Sequence, residues 1–174
     1  MFRAIFKISF VSLAILLVNN PVYAKTASIA NIDVFNTGEK LVLDASLKDG
    51  FSEDVVEAIK SGVPVRITYT VVLKRKIPFF YDKKVATRTI KRFVEFDTLK
   101  EKYKIIDNNG NKKTERITED FNEVVRKMAQ LDSIHLILNK RLDKKEKYYV
   151  NVRAKLNSKQ TWFPFNYILL FMSY

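Results

Sequence analysis

The chain has one histidine, His135, and no cysteine. A general base or a metal site built on His135 needs partners at a fixed spacing, and the sequence offers no HExxH helix, second histidine or thiol. His135 lies between Ile134 and Leu136, in a stretch whose alternation turns it away from the apolar side. It reads as a surface or edge residue. The carboxylates gather in two groups: Glu53, Asp54 and Glu57, then Glu119, Asp120 and Glu123. Each group opens a predicted helix, where negative charge complements the free N–H groups and the helix dipole. Asp107, Asn109 and Asn111 have the alternate spacing of a calcium loop. The glycine is out of register for that loop and no glutamate stands at its twelfth position, so a hairpin turn fits better. No Gly-x-Ser-x-Gly elbow or phosphate-cradling glycine loop is present. No cofactor and no metal are expected. An enzyme made from this chain would have to work through carboxylates, and a pocket uniting His135, Asp97 and Asp132 would reveal it.

The residues that exceed an ordinary surface lie between Lys74 and Arg92. Lys74, Arg75, Lys76, Lys83, Lys84, Arg88, Lys91 and Arg92 stand there against Asp82 alone. Between them runs Ile77-Pro78-Phe79-Phe80-Tyr81. Cations flanking aromatics suit a bilayer interface or the groove of an acidic partner. The main contact surface is assigned to Lys74, Arg75, Lys76, Phe79, Phe80, Tyr81, Lys83 and Lys84. A competing structural reading lays the rings over the end of a β-sandwich, because exposed aromatics are costly unless used.

The start of the chain indicates where such a surface would work. Arg3 and Lys7 precede an apolar run from Ile8 to Val18, followed by Asn19-Asn20-Pro21 and by small residues at Val22 and Ala24. This is the pattern of a secretory signal peptide over residues 1–24, cleaved after Ala24. The apolar run is shorter than the roughly 20 residues that span a bilayer. The remaining residues, 25–174, form one exported domain without an internal linker, and the periplasm is the expected address. Losing Arg3 and Lys7 lowers the net charge from +12 to about +10. For an exported chain this points to anionic lipid head groups, cell-wall polymers or an acidic protein partner, and not to nucleic acid. Without cysteine the fold rests on its core alone.

The elements that must position this surface follow from periodicity. Phe51 to Leu73 reads as a short helix feeding a long strand. Ser52 is the expected N-cap, and Phe51 and Val56 have hydrophobic-staple spacing. Gly62 supplies a left-handed C-terminal cap, and Pro64 forbids continuation. From Val63 onward, Val65, Ile67, Tyr69, Val71 and Leu73 alternate with polar residues, as in a half-buried strand.

Upstream, Ala30, Ile32 and Val34 form a first apolar face, and Leu41, Leu43, Ala45 and Leu47 a second, joined by Asn36-Thr37-Gly38. Downstream, Ala86, Ile90, Val94 and Phe96 share a parity with Arg88 and Arg92, which predicts a bulge. Tyr103 to Ile106 is a strand, and Asp107-Asn108-Asn109-Gly110 is a turn into a return strand over Asn111 to Arg116. Thr118 is the expected cap of a second helix carrying Phe121, Val124, Val125, Met128 and Leu131. Ile134, Leu136 and Leu138, then Tyr148 to Leu156, form further strands. Thr161 to Tyr174 is expected to close the core. The chain is therefore mostly β in an α+β arrangement. It reads as an antiparallel β-sandwich or half-open barrel of about seven to nine strands with two short amphipathic helices.

Several of these stretches carry a resemblance. They are Ser61-Gly62-Val63-Pro64-Val65, the basic-aromatic hairpin, Phe93 to Asp97 followed by Tyr103, Tyr149 to Leu156, and Trp162-Phe163-Pro164-Phe165-Asn166-Tyr167. In that order they resemble an exported bacterial family known as domain of unknown function 4390, over nearly all of the chain after the signal peptide. The resemblance implies an envelope address and no activity. It also implies a membrane sensor kinase among the partners to expect. Fractionation of cells expressing the full chain should yield an envelope-located protein whose N-terminal residue is Lys25. Recovery of only full-length chain from the cytoplasm would contradict the export reading.

Overall fold

The computed structural model describes residues 27–110, 112–138, 142, 143 and 145–158. Among them are eight strands and two helices. The strands are β1 (Ser28–Asn36), β2 (Lys40–Lys48), β3 (Val65–Arg75), β4 (Lys83–Asp97), β5 (Lys102–Asn109), β6 (Lys112–Thr118), β7 (Gln130–Leu138) and β8 (Tyr148–Ser158). The helices are α1 (Glu53–Lys60) and α2 (Phe121–Ala129). Two antiparallel sheets pack as a sandwich: β1-β2-β7 faces β6-β5-β4-β3-β8. The expected closing segment, Thr161 to Tyr174, and the signal segment lie outside the described residues.

The strict alternation of β3 suits an interior strand of the larger sheet, where it lies between β4 and β8. Val65, Ile67, Tyr69, Val71 and Leu73 are all buried on the inner face, as the period of two requires. β4 lines one side of β3. β8 lines the other over its full length, from Val65 against Ser158 to Arg75 against Tyr148. The inner residues of β8, Val152, Ala154 and Leu156, complete that layer. Facing it are Leu43, Ala45 and Leu47 of β2 and Leu131, Ile134 and Leu136 of β7. Val55 and Ile59 of α1, with Val124 and Met128 of α2, fill the remaining space.

α1 ends as the sequence indicates. Gly62 has φ +82°, its N–H reaches the Ile59 carbonyl at 3.0 Å, and the Val63 N–H reaches the Ala58 carbonyl at 2.9 Å. This paired bonding is a Schellman motif, and Gly62 adopts its left-handed conformation without a Cβ penalty. Ser52 occupies the N-cap position with extended backbone but makes no side-chain cap bond. α2 is capped by Asp120, not Thr118: the Asp120 carboxylate accepts from the Asn122 N–H at 2.8 Å. Thr118 instead accepts from the Asp120 N–H at 3.1 Å, one step upstream.

Three strand expectations are corrected. β1 starts on the opposite parity, with Ala27 and Ile29 buried. A bulge between Ala30 and Asp33, with Asn31 at φ +50°, then shifts the register, so Ile32 is half-buried and Val34 exposed. Asp107, Asn108 and Asn109 belong to β5 and not to a turn, leaving Gly110 at φ +65° as the turn residue. In β4 the bulge lies near Lys84, since Leu73 pairs with Ala86 while Lys74 pairs with Lys84. Arg88 and Arg92 cause no parity break, because they do face inward. Arg88 donates to the His135 carbonyl of β7 at 2.9 Å from the rim of the sandwich.

Arg92 lies inside. It is the one charged residue buried among the described residues, at 6 % exposure. Its Nε donates to the Asp107 carboxylate at 3.0 Å, its Nη1 donates to the Gln130 carbonyl, and its guanidinium stands over the Tyr69 ring at 5.8 Å. The Tyr69 hydroxyl donates to the Met128 carbonyl at 2.8 Å. Burial pushes the Tyr69 phenol far above its ordinary pKa, so it stays a donor. Removing that hydroxyl by Tyr69→Phe should cost about 1–3 kcal/mol, since the Met128 carbonyl is then buried without its partner. Asp107→Ala should cost about 2–4 kcal/mol by leaving the guanidinium unpaired, toward the low end because Asp107 keeps one-third exposure. Chemical denaturation of the two variants measures both losses, and unchanged midpoints would show that the cluster is not holding the sheets together.

Candidate functional site

β3 and β4 run out of the sandwich together and carry the loop 76–82 between them. At its base, Lys74 lies directly opposite Lys84 and Arg75 opposite Lys83. Like charges facing each other across a strand pair are destabilising, so the arrangement works against the hairpin that holds it. Neighbours reduce the cost. The Tyr149 ring of β8 lies 5.8 Å beneath the Lys74 ammonium, and Arg75 meets Glu146 at 3.4 Å.

The loop has a defined shape. Ile77-Pro78-Phe79-Phe80 is closed by the Phe80 N–H donating to the Ile77 carbonyl at 3.3 Å. Pro78 stands at the second position and Phe79, at φ +65°, at the third. That is the residue order and φ sign of a type II turn, whose third position usually takes glycine. A phenylalanine there costs on the order of 1 kcal/mol in left-handed backbone. The strain is held by Asp82, which accepts the Ile77 N–H on Oδ1 at 3.2 Å and the Tyr149 hydroxyl on Oδ2 at 2.5 Å. The Lys76 N–H donates to the Lys147 carbonyl at 2.9 Å, tying the loop to the segment before β8.

This turn throws the aromatics outward. Phe79 is 103 % exposed, Phe80 79 % and Tyr81 99 %. The rings therefore do not cover the end of the sandwich, and the structural reading that put them there is corrected. Lys76, Lys83 and Lys84 are exposed beside them, while Lys74 and Arg75 are half-buried. All eight residues assigned to the contact surface, Lys74, Arg75, Lys76, Phe79, Phe80, Tyr81, Lys83 and Lys84, thus lie at one end of the molecule. The other cations of the stretch do not join them. Arg88 reaches β7, Arg92 is buried, and Lys91 stands on the outer face of the sheet.

A family model described as Domain of unknown function (DUF4390) matches residues 24–174. The chain belongs to that family. No curated protein and no solved structure matches it. In this DUF4390 chain the groups that could mark a carboxylate site are separated. His135 and Asp132 are exposed on β7, whereas Asp97 ends β4 in the other sheet. The Asp97 carboxylate accepts the Leu99 and Lys100 N–H groups, both at 3.1 Å, which holds its pKa below the usual range and commits it to the β4–β5 turn. A cleft of about 600 Å³ there includes Glu95 and Glu115, and Glu115 is paired with Lys104 at 2.9 Å. Among the described residues no three His, Cys, Asp or Glu side chains come together as a metal site, and no helix is long and apolar enough to cross a membrane.

Sequence reasoning missed the clamp. Asp82 looked like a loop residue among cations, and Tyr149 lies far along the chain; only the pairing of β3 with β8 brings them together. The Tyr149 hydroxyl, then the Ile77 N–H, hold the Asp82 carboxyl below its ordinary pKa, and the same contact raises the Tyr149 phenol. A depressed carboxylate pKa contributes stability above the unfolded value of about 4 that is lost as pH falls through the folded one. A raised phenol pKa contributes stability below about 10 that is lost as pH rises through the folded one. The loop should therefore be closed across the neutral range and open at both extremes. Limited proteolysis at Phe79-Phe80-Tyr81 should accelerate at low pH, and Asp82→Ala should be cut at pH 7 as the parent is in acid. Equal cutting of parent and variant at pH 7 would remove the clamp from the account.

Proposed function

We propose that this protein is an exported, non-catalytic attachment module that holds to an anionic membrane surface through the β3–β4 loop. One observation carries the reading: three fully presented aromatic side chains sit on a strained, clamped turn between opposed cations. Interfacial burial of Phe79, Phe80 and Tyr81 would recover the apolar area that the turn exposes. Lys76, Lys83 and Lys84 would then lie at the level of the phosphates, where each charge contributes up to about 1 kcal/mol. The repulsion at the loop base, between Lys74 and Lys84 and between Arg75 and Lys83, would be relieved by the same anions. The N-terminal pattern of Arg3, Lys7 and the apolar run supports a periplasmic address, where such surfaces are available.

Co-sedimentation with vesicles tests the proposal. The protein from Lys25 onward should bind anionic vesicles and leave neutral phosphatidylcholine vesicles largely free. Replacing Lys76, Lys83 and Lys84 together by alanine should weaken binding by up to about 3 kcal/mol at low salt and flatten its salt dependence. Phe79→Ser with Phe80→Ser should weaken it while leaving that dependence intact. Neither variant should melt below the parent, because the replaced side chains lie outside the core, and loss of Lys83 and Lys84 relieves like-charge repulsion across the strands. Parental vesicle binding by both, with loss of one crosslinked envelope protein in cells, would assign the loop to a protein partner such as a membrane sensor kinase instead.

A further inference from the structure

A second cationic surface adjoins the loop at Lys74 and Lys84 and extends away from it along the sheet. The outer face of the five-stranded sheet is built in rows that cross β8, β3 and β4. Lys155, Thr68 and Lys91 form one row, with Arg153, Thr70 and Thr89 in the next. Arg66 lies one row beyond the first, and Lys74 and Lys84 stand together at the loop end. β3, β8 and residues 83–93 of β4 contain no acidic residue. Glu95 and Asp97 come only after Phe93, and the β6 carboxylate Glu115 is already paired with Lys104. Arg66, Lys84, Lys91, Arg153 and Lys155 are exposed, and among the described residues none of them is in an ion pair.

We propose that this face binds an extended acidic glycan lying along β3. Rows on one face repeat every two residues, about 6.8 Å, and neighbouring strands are about 4.8 Å apart. From Lys74 to Arg66 the track is roughly 27 Å long at that rise. It offers cations at intervals with hydroxyls between them: Thr68 and Thr70 on β3, Thr87 and Thr89 on β4. Asn151 and Asn157 on β8 add amides. Charge for carboxylates or sulfates, and hydroxyl and amide groups for sugar hydroxyls, is the complement of a charged polysaccharide. Base stacking on a nucleic acid needs free aromatic faces. The two rings here are half-buried and already topped by cations, Phe93 by Arg66 at 6.0 Å and Tyr149 by Lys74. A bilayer reached by the loop tip does not account for the track. The Lys91 and Lys155 row stands roughly 20 Å behind Lys74 along the strand, beyond the ~8 Å over which charge acts at physiological salt.

The inference does not rest on the membrane reading, and the two are separable. Polygalacturonate and dextran sulfate serve as acidic glycans, dextran as the uncharged control. The protein from Lys25 onward should bind both acidic polymers, less tightly as salt rises, and should not bind dextran. Lys91→Gln with Arg153→Gln and Lys155→Gln should lower that affinity at least tenfold while leaving anionic-vesicle binding within twofold of the parent. Phe79→Ser with Phe80→Ser should do the reverse. The arginine-for-lysine variant, Lys91→Arg with Lys155→Arg, should bind glycan like the parent and show that the face remains folded. Three outcomes overturn the proposal: undiminished glycan binding by the glutamine variant, loss of vesicle binding by that variant to the extent seen for loop cations, or tighter binding of single-stranded DNA than of either acidic glycan.

Discussion

The buried guanidinium of Arg92 is the constraint on which the sandwich depends. It leaves β4 on the inner side, beside a largely apolar core, and presents a guanidinium whose donors all need partners. A cation in that position survives only if its donors are taken. They are taken by Asp107 on β5 and by the Gln130 carbonyl where α2 passes directly into β7. Tyr69 lies beneath the cation and bonds the Met128 carbonyl, two residues earlier on the same junction. Two polar side chains of the large sheet thus fix the peptide groups at which the chain crosses to the small sheet. Apolar contact would hold the layers together but would let them slide. These directional bonds set where β7 begins, and β7 sets the register of β2 and β1 beyond it.

How much of this was legible follows from the range of each interaction. β3 was fully legible, because period two over eleven residues leaves one arrangement of faces. The Schellman end of α1 was legible because Gly62 and Pro64 act locally. The cap of α2 was misplaced because Thr118 and Asp120 are both good caps, and the choice depends on where β6 ends. Arg92 was misread because an arginine on the apolar parity looks like a pattern error. Its partner Asp107 appeared to belong to a turn, and nothing local links positions 92 and 107. The parity of β1 failed for a similar reason: Asn31 takes a left-handed conformation that resets the alternation, and Asn does so only in some contexts. The β3–β8 pairing has no signal in either strand alone.

The contact loop was legible in composition and illegible in conformation. Eight residues from Lys74 to Lys84 were singled out by charge and aromaticity, and they do lie together. Whether the rings point in or out turns on Phe79 at φ +65° and on Asp82, whose partner Tyr149 comes from the other end of the domain. The outer cationic face shows the opposite limit. Arg66, Lys91, Arg153 and Lys155 are distributed over three strands with no common motif. Only register makes them one surface.

The two cationic regions differ in what holds them, and the difference indicates their mechanics. The outer face belongs to rigid strands whose inner residues, Ile67, Tyr69, Ile90, Val152 and Ala154, are buried. Its charges keep fixed spacing, which suits a repeating ligand and adds little ordering cost on binding. The loop is held by a few hydrogen bonds through Asp82, Tyr149 and Lys76, those at Asp82 part-buried, with a strained residue at its tip. Local opening there costs far less than opening the core. A surface of that kind can adapt to an interface without fixed geometry, provided the clamp returns it afterwards. Placing both on β3 and β4 means that force applied at the loop passes directly into the most buried strand of the domain. From there it reaches the Tyr69–Arg92 cluster that joins the sheets. In the proposed attachment role, the register of β3 would let the core, and not a peripheral hairpin, carry the load.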